Sequence, residues 1–288
     1  MAEKKTILVT GANGQLGNEM QVISAAYPAY HFLFVTKEVL PIDNAETMKN
    51  YFAAHPIDYC VNCAAYTAVD KAETEPEKAM NVNGTAVGIL AAVCKSYNAG
   101  FIHVSTDYVF DGSATTPYTE DFRVAPVNTY GATKLKGEEL AQQQNPGSII
   151  IRTSWVYSSF GNNFVKTMMG LMKEKEQLNV VSDQVGCPTY AADLAAAIMQ
   201  IIHSGKAEAQ PGIYNYSNTG VISWFQFAEA IKELSGSKCM VNAIPSSNYP
   251  TPAKRPSYSV MDTIKIQQTF DISIPAWKDS LKKCLQLL

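Results

Sequence analysis

A run of strand formers, Thr6-Ile7-Leu8-Val9-Thr10, gives way to Gly11-Ala12-Asn13-Gly14-Gln15-Leu16-Gly17 and then to a helical stretch reaching about Ala26. Strand, glycine-rich turn and helix in that order leave few folds open. The glycines permit a tight turn and close backbone approach, and the N-terminus of the following helix attracts a pyrophosphate. The spacing is G-x-x-G-x-x-G rather than G-x-G-x-x-G, and glycines here would also serve a plain turn. The strand before and the helix after supply the context that a dinucleotide site requires. Gly11, Gly14 and Gly17 are therefore candidate cofactor contacts.

The same alternation continues. Residues 31–35, 58–63, 100–105 and 148–153 read as strands, and residues 44–54, 77–98 and 129–144 as helices. Apolar strands alternating with helices predict a parallel sheet covered on both faces. The fold class is thus α/β, a Rossmann-like doubly wound parallel sheet. Beyond residue 155 the rhythm loosens. A helix, a short strand near 178–182, a helix over 190–203, a strand over 212–216, a helix over 223–234 and a strand over 238–243 come next. Pro245, Pro250, Pro252 and Pro256 then mark a long loop before two closing helical segments. We read residues 1–155 as an NAD(P)-binding domain and 156–288 as a smaller α/β substrate-binding C-terminal domain. The boundary is soft, because helix 190–203 could pack back on the sheet.

Ligands of such sheets bind at the carboxyl ends of the strands. Thr10, Ala64, Ser105 and Thr153 fall there, and next to Ser105 stands Thr106. Helix 129–144 opens Tyr130-Gly131-Ala132-Thr133-Lys134, which puts a phenol and an ammonium on one face, four residues apart. A free phenol has a pKa of about 10; a nearby ammonium favours the phenolate and suits the Tyr to general acid–base work. The Thr106 hydroxyl can hold a carbonyl oxygen beside that phenol. A surface Tyr and a solvated Lys are the plain alternative, since 15 tyrosines give about one Tyr-x-x-x-Lys by chance. The shared strand edge ties the pair to the glycine turn.

Other residues refine the reading. Thr36-Lys37 stands where an acidic residue would hold a ribose 2′-OH, so NADP(H) is preferred and NAD(H) possible. Asp43 either meets an adenine edge or caps the helix behind it. Cys60 and Cys63 have metal-like spacing but no second pair, so buried free thiols are expected. A net charge of −3 without a basic block argues against a nucleic-acid partner. No apolar run approaches the roughly 18 residues that span a bilayer, and Met1-Ala2-Glu3-Lys4-Lys5 leads straight into a strand. A cytoplasmic protein without a membrane partner is expected.

Several stretches in one order carry a resemblance: Asn62-Cys63-Ala64-Ala65-Tyr66-Thr67-Ala68-Val69-Asp70-Lys71-Ala72-Glu73, Ser105 through Phe110, Arg152-Thr153-Ser154-Trp155-Val156-Tyr157, Gly161-Asn162-Asn163-Phe164, and Pro250-Thr251-Pro252-Ala253-Lys254-Arg255-Pro256. The chain is similar to the extended short-chain dehydrogenase/reductase superfamily. More narrowly it resembles the dTDP-4-dehydrorhamnose reductase family, from the glycine-rich turn almost to the C-terminus. The resemblance implies NADPH-dependent reduction of the 4-keto group of dTDP-4-dehydro-L-rhamnose to dTDP-L-rhamnose, with Thr106, Tyr130 and Lys134 as the catalytic triad. It implies that Thr106, Asp107 and Trp155 touch the sugar nucleotide. It further implies that Gly14, Gln15, Leu16, Asp43, Ala65, Tyr66, Thr67, Tyr130 and Lys134 line the cofactor.

Some members of that family bind Mg²⁺ between subunits through three glutamates. Only Glu19 matches here, with Ala192 at the second position, so no metal is expected, and the assembly is a monomer or homodimer. Two other readings share the scaffold. One is a nucleotide-sugar epimerase or epimerase-reductase; the other is a regulatory subunit resembling the β subunit of methionine adenosyltransferase. Arg255, in the Pro-rich loop, is either a fork for the substrate diphosphate or a solvated surface Arg.

Overall fold

The structure, a computed structural model, describes residues 4–288. Six strands form one parallel sheet: β1 (Lys5–Thr10), β2 (Tyr30–Val35), β3 (Tyr59–Asn62), β4 (Gly100–Thr106), β5 (Ile149–Thr153) and β6 (Gly212–Tyr216), in the spatial order β6-β5-β4-β3-β1-β2. The order reverses between β1 and β3, which opens a crevice at their carboxyl ends. Register aligns those ends: Thr10 lies opposite Asn62, Asn62 opposite His103, and Thr106 opposite Thr153.

The central strands are apolar on both faces because helices cover both. Ile7 and Val9 point into one core with Leu16 and Met20 of helix Gln15–Ser24 and Leu194 and Ile198 of helix Ala191–His203. Leu8 points the other way, toward Met48 and Phe52 of helix Ala45–Ala54, Leu90 of helix Ala86–Ser96 and Ala141 of helix Thr129–Gln144. This is the two-residue alternation of a strand buried on both sides.

After β5 the chain leaves the sheet, builds a smaller layer and returns. The smaller layer pairs Gln177–Val181 with Met240–Ile244 and Val156–Tyr157 with Thr189–Tyr190. Its own core gathers Tyr157, Val165, Phe227, Ile231 and Leu281. The sheet takes residues from both sides of position 155. Helix Ala191–His203 lies in the core under β1, and β6 pairs in parallel with β5. A cut at 155 would therefore separate this helix and this strand from the sheet on which they sit.

The helix expected over 77–98 is interrupted. Pro76–Met80 and Ala86–Ser96 are α-helical, and a π-helical turn, Asn81–Thr85, joins them. Asn83 and Gly84 are poor helix formers, and a single π turn often accompanies a site. All six cysteines are free, Cys63 half-buried and the others buried. Among the described residues no helix is long and apolar enough to cross a membrane.

Candidate active site

At the glycine turn, Gly11 has φ of +64°, and a Cβ on it would come within 2.7 Å of the Ala64 amide nitrogen. A Cβ on Gly17 would come within 2.3 Å of the Gly11 carbonyl oxygen, whereas Gly14 is open but for that same oxygen at 3.2 Å. No side chain caps helix Gln15–Ser24. Its first backbone N–H groups, from Gln15, Leu16 and Gly17, are thus left for a ligand, and the arrangement fits a pyrophosphate. The Leu16 side chain is core, so its contribution is backbone only. The Gln15 carboxamide accepts from Asn163 Nδ2 at 3.0 Å, so a loop of the smaller layer rests on the turn.

Beside it, Ala65, Tyr66 and Thr67 follow β3. Asn83, fully buried in the π turn, holds this stretch: it accepts from the Tyr66 N–H at 2.8 Å and donates to the Tyr66 carbonyl at 3.0 Å. Its Nδ2 also reaches Thr133 Oγ1 at 3.2 Å, on the helix that carries Tyr130 and Lys134. Asp43 is exposed and accepts from Asn81 Nδ2 at 2.9 Å. The cap on helix Ala45–Ala54 is Asn44, bonded to the Thr47 N–H, so Asp43 is not the capping residue.

Helix Thr129–Gln144 begins at Asn128, whose carboxamide accepts from the Gly131 N–H at 2.8 Å and donates to the Lys254 carbonyl at 2.7 Å. A Cβ at Gly131 would come within 2.2 Å of the Tyr108 carbonyl oxygen. The absent side chain is what brings the phenol of Tyr130 beside Thr106. Tyr130 is half-buried, and loss of solvent around its phenol pushes it up to about 12. The expectation that Lys134 depresses it is not met. Lys134 points into the sheet, donating to the Val104 carbonyl at 2.6 Å, 3.4 Å from His103 Nε2. Burial brings the lysine down to about 8. The phenol is thus a protonated acid at neutral pH and the lysine a cation near its titration point.

Thr106 Oγ1 donates to Asp107 Oδ1 at 3.0 Å. The other carboxylate oxygen, Oδ2, is buried without a partner, and burial pushes the Asp107 carboxyl up to about 6. Trp155 has φ of +48°, a conformation that costs a bulky residue strain. Its indole lies on Gly186 and stacks on Trp224, with ring centroids 3.6 Å apart and planes 10° apart. Arg255 is partly exposed but paired: Nη1 and Nη2 each reach an Asp70 carboxylate oxygen at 2.8 Å. Glu19 is 4% exposed and accepts from Ser158 Oγ at 2.6 Å. Among the described residues no three His, Cys, Asp or Glu side chains are grouped to hold a metal ion.

Sequence reasoning missed Asn83, Asn128, His103 and the buried pair Glu138–Arg152. The available signals were weak: an asparagine inside a helix, and a lone histidine in an apolar strand. The family described as RmlD substrate binding domain matches residues 5–288. The spore coat polysaccharide biosynthesis protein SpsK of Bacillus subtilis is 40% identical over 282 residues, covering 97% of this chain and 96% of its own. The dTDP-4-dehydrorhamnose reductase of Sinorhizobium fredii is 39% identical over 290 residues, covering 98% of this chain and 97% of its own. Among solved structures, the dTDP-4-dehydrorhamnose reductase of Bacillus anthracis in complex with NADP superposes with a TM-score of 0.94 at 35% identity, covering 99% of this chain and 100% of its own.

Proposed function

The chain belongs to the RmlD substrate binding domain family, and from that premise we propose that it is an NADPH-dependent oxidoreductase that reduces the 4-keto group of dTDP-4-dehydro-L-rhamnose to dTDP-L-rhamnose. The observation that carries the reading is a protonated, half-buried phenol beside the Thr106 hydroxyl, on the same strand edge as an uncapped helix N-terminus.

When bound at that edge, the reduced nicotinamide supplies a hydride to sugar C4. The chain supplies the rest. Thr106 holds the C4 oxygen beside Tyr130, and Tyr130 gives that oxygen its proton, so the ketone becomes an alcohol. Lys134 holds the ribose; one of its three N–H groups is on the Val104 carbonyl. Asp107, through its free Oδ2, accepts from a sugar hydroxyl, and Trp155 lies against the sugar nucleotide. Gly11, Gly14, Gln15, Leu16 and Gly17 bind the diphosphate of the cofactor, Asp43 its adenine, and Ala65, Tyr66 and Thr67 the stretch between. NADP(H) is the preferred cofactor. Residues 1–155 hold the cofactor and the catalytic residues, and residues 156–288 close over the sugar nucleotide, in a cytoplasmic monomer or homodimer.

The test is to mix the protein with NADPH and dTDP-4-dehydro-L-rhamnose and follow absorbance at about 340 nm. Stoichiometric loss of NADPH with formation of dTDP-L-rhamnose is expected. Retained nicotinamide with an epimerised sugar and no net consumption would point to an epimerase, and no sugar chemistry at all to a regulatory subunit.

A further inference from the structure

Thr10, Asn62, His103 and Lys134 are each at most 1% exposed, yet all are polar. They form one chain across the sheet, from the residue before the glycine turn to the catalytic helix. Thr10 Oγ1 donates to Asn62 Oδ1 at 2.6 Å, Asn62 Nδ2 lies 3.0 Å from His103 Nδ1, and His103 Nε2 lies 3.4 Å from Lys134 Nζ.

The direction of the chain is fixed at Asn62. The Ala64 N–H, which can only donate, meets Asn62 Oδ1 at 3.3 Å. Oδ1 is therefore the acceptor, and Nδ2 faces the imidazole. His103 Nδ1 must accept. Burial first, and then the Lys134 charge, hold this histidine well below its usual range, so it is neutral. A neutral ring with an accepting Nδ1 carries its proton on Nε2. That N–H points at a lysine nitrogen which, as an ammonium, also only donates. The free amine would accept it.

We propose that His103 is a positioning residue for Lys134: its Nε2–H, fixed by Asn62, disfavours the ammonium and sets the pH at which the lysine loses its charge. The other groups around Lys134 act the opposite way or are neutral. Glu138, one turn along the same helix, and Cys63, after β3, favour the cation. The Val104 carbonyl accepts from it, and Tyr130, one turn back, is a protonated phenol. The kinetic consequence rests on the reductase reading. Catalysis uses the ammonium, so kcat/KM falls as pH rises through the lysine pKa, and His103 places that alkaline limb lower than it would otherwise lie.

Two measurements test this. With only four histidines, ¹⁵N-histidine NMR of the whole protein can isolate His103. It should show a neutral Nε2–H ring that does not titrate between about pH 5 and pH 8. An imidazolium or an Nδ1–H ring overturns the proposal. In kinetics, His103→Asn keeps a partner for Asn62 but removes the N–H facing the lysine. Asn62→Asp puts an acceptor opposite Nδ1, which draws the ring proton from Nε2 to Nδ1 and turns Nε2 into an acceptor. Both should move the alkaline limb of kcat/KM up, by about one pH unit. A limb that stays put in either variant, folded by circular dichroism, overturns it. If His103→Asn fails to fold, the near-isosteric Asn62→Asp and the NMR measurement decide. Unmodified protein that never oxidises NADPH strikes the reductase reading alone, because the tautomer is read without turnover.

Discussion

The two walls of the site are built differently. On the wall of helix Thr129–Gln144, polar groups are buried and bound in fixed directions. Glu138 and Arg152 are each 2% exposed at the side chain and bonded Nη2 to Oε2 at 2.7 Å. Ser105 Oγ adds a donor to Glu138 at 2.5 Å, and Arg152 lies over the Phe110 ring at 5.1 Å. The side carried by the smaller layer is aromatic, its rings packed into that layer's core: Trp155 on Trp224, then Phe164, Phe227 and Trp277. The Asn128–Lys254 bond and the half-exposed Asp70–Arg255 pair tie the Pro-rich loop to the first half of the chain. Breaking a directional buried bond incurs the full desolvation cost of the group left unpaired, whereas ring contacts tolerate small slides. The polar wall is suited to hold reacting atoms still, and the aromatic wall to admit a large ligand. Substitutions on the first should strike turnover or stability; those on the second should strike sugar-nucleotide binding.

The sharpest way to break that contrast is Tyr130→Phe. It keeps the ring against Tyr108, 5.5 Å away edge to face, and deletes the acid. Turnover should fall by roughly 10²–10⁴ with NADPH binding kept; an unmodified rate in stopped-flow reduction would mean the proton comes from elsewhere. Arg152→Met should be nearly as costly, but in stability. It leaves Glu138 buried without its cation, a loss of about 3–5 kcal/mol in denaturant unfolding. A change under about 0.5 kcal/mol would mean that this wall is not held by its ion pair.

Asp107→Asn goes the other way. Burial raises the folded-state pKa of Asp107 from 3.8 to about 6, so the folded protein holds that proton more tightly than the unfolded chain. Stability that is present below about pH 4 is lost as pH rises through about 6. At pH near 7.5 the amide should therefore be more stable by about 2–3 kcal/mol, with a weaker sugar-nucleotide KM, and the gain should vanish near pH 4. Equal gains at both pH values would remove the carboxylate from the argument. The smallest effect belongs to Arg255→Ala. Substrate KM should rise with cofactor affinity unchanged, at a stability cost below about 1 kcal/mol for so exposed a pair. Asp70→Ala should match it, and the double variant should be no worse than either; simple additivity would show that the two residues act apart.

The glycine turn, the strand ends and the Tyr130–Lys134 helix were legible because each is local: period, turn chemistry and caps lie within a few residues. Helix Thr129–Gln144 has the limits its sequence implies, although the cap at Asn128 was not read from it. What was illegible depends on distant partners. The strand at 212–216 reads as a strand, but nothing in it says that it pairs with β5. Lys134 reads as the neighbour of Tyr130, yet its nitrogen turns to Val104, because the strand carbonyl and the interior of the sheet lie behind it. Arg255 reads as a phosphate fork or a solvated surface Arg, but Asp70, 185 residues away, takes both of its terminal nitrogens. The π turn hid inside a continuous helical pattern, since one extra residue per turn leaves no mark on composition.

The late arrival of β6 has a consequence for synthesis. On the ribosome, β5 emerges about 60 residues before the strand that covers its outer edge, several seconds at roughly 5–20 residues per second. During that interval Ile149, Ile150 and Ile151, at most 1% exposed once folded, sit on an open strand edge. Three consecutive isoleucines on a bare edge template pairing with another chain. The nascent polypeptide is thus most prone to aggregate between the synthesis of β5 and that of β6. A fragment severed at residue 155 would keep that vulnerability for its whole life.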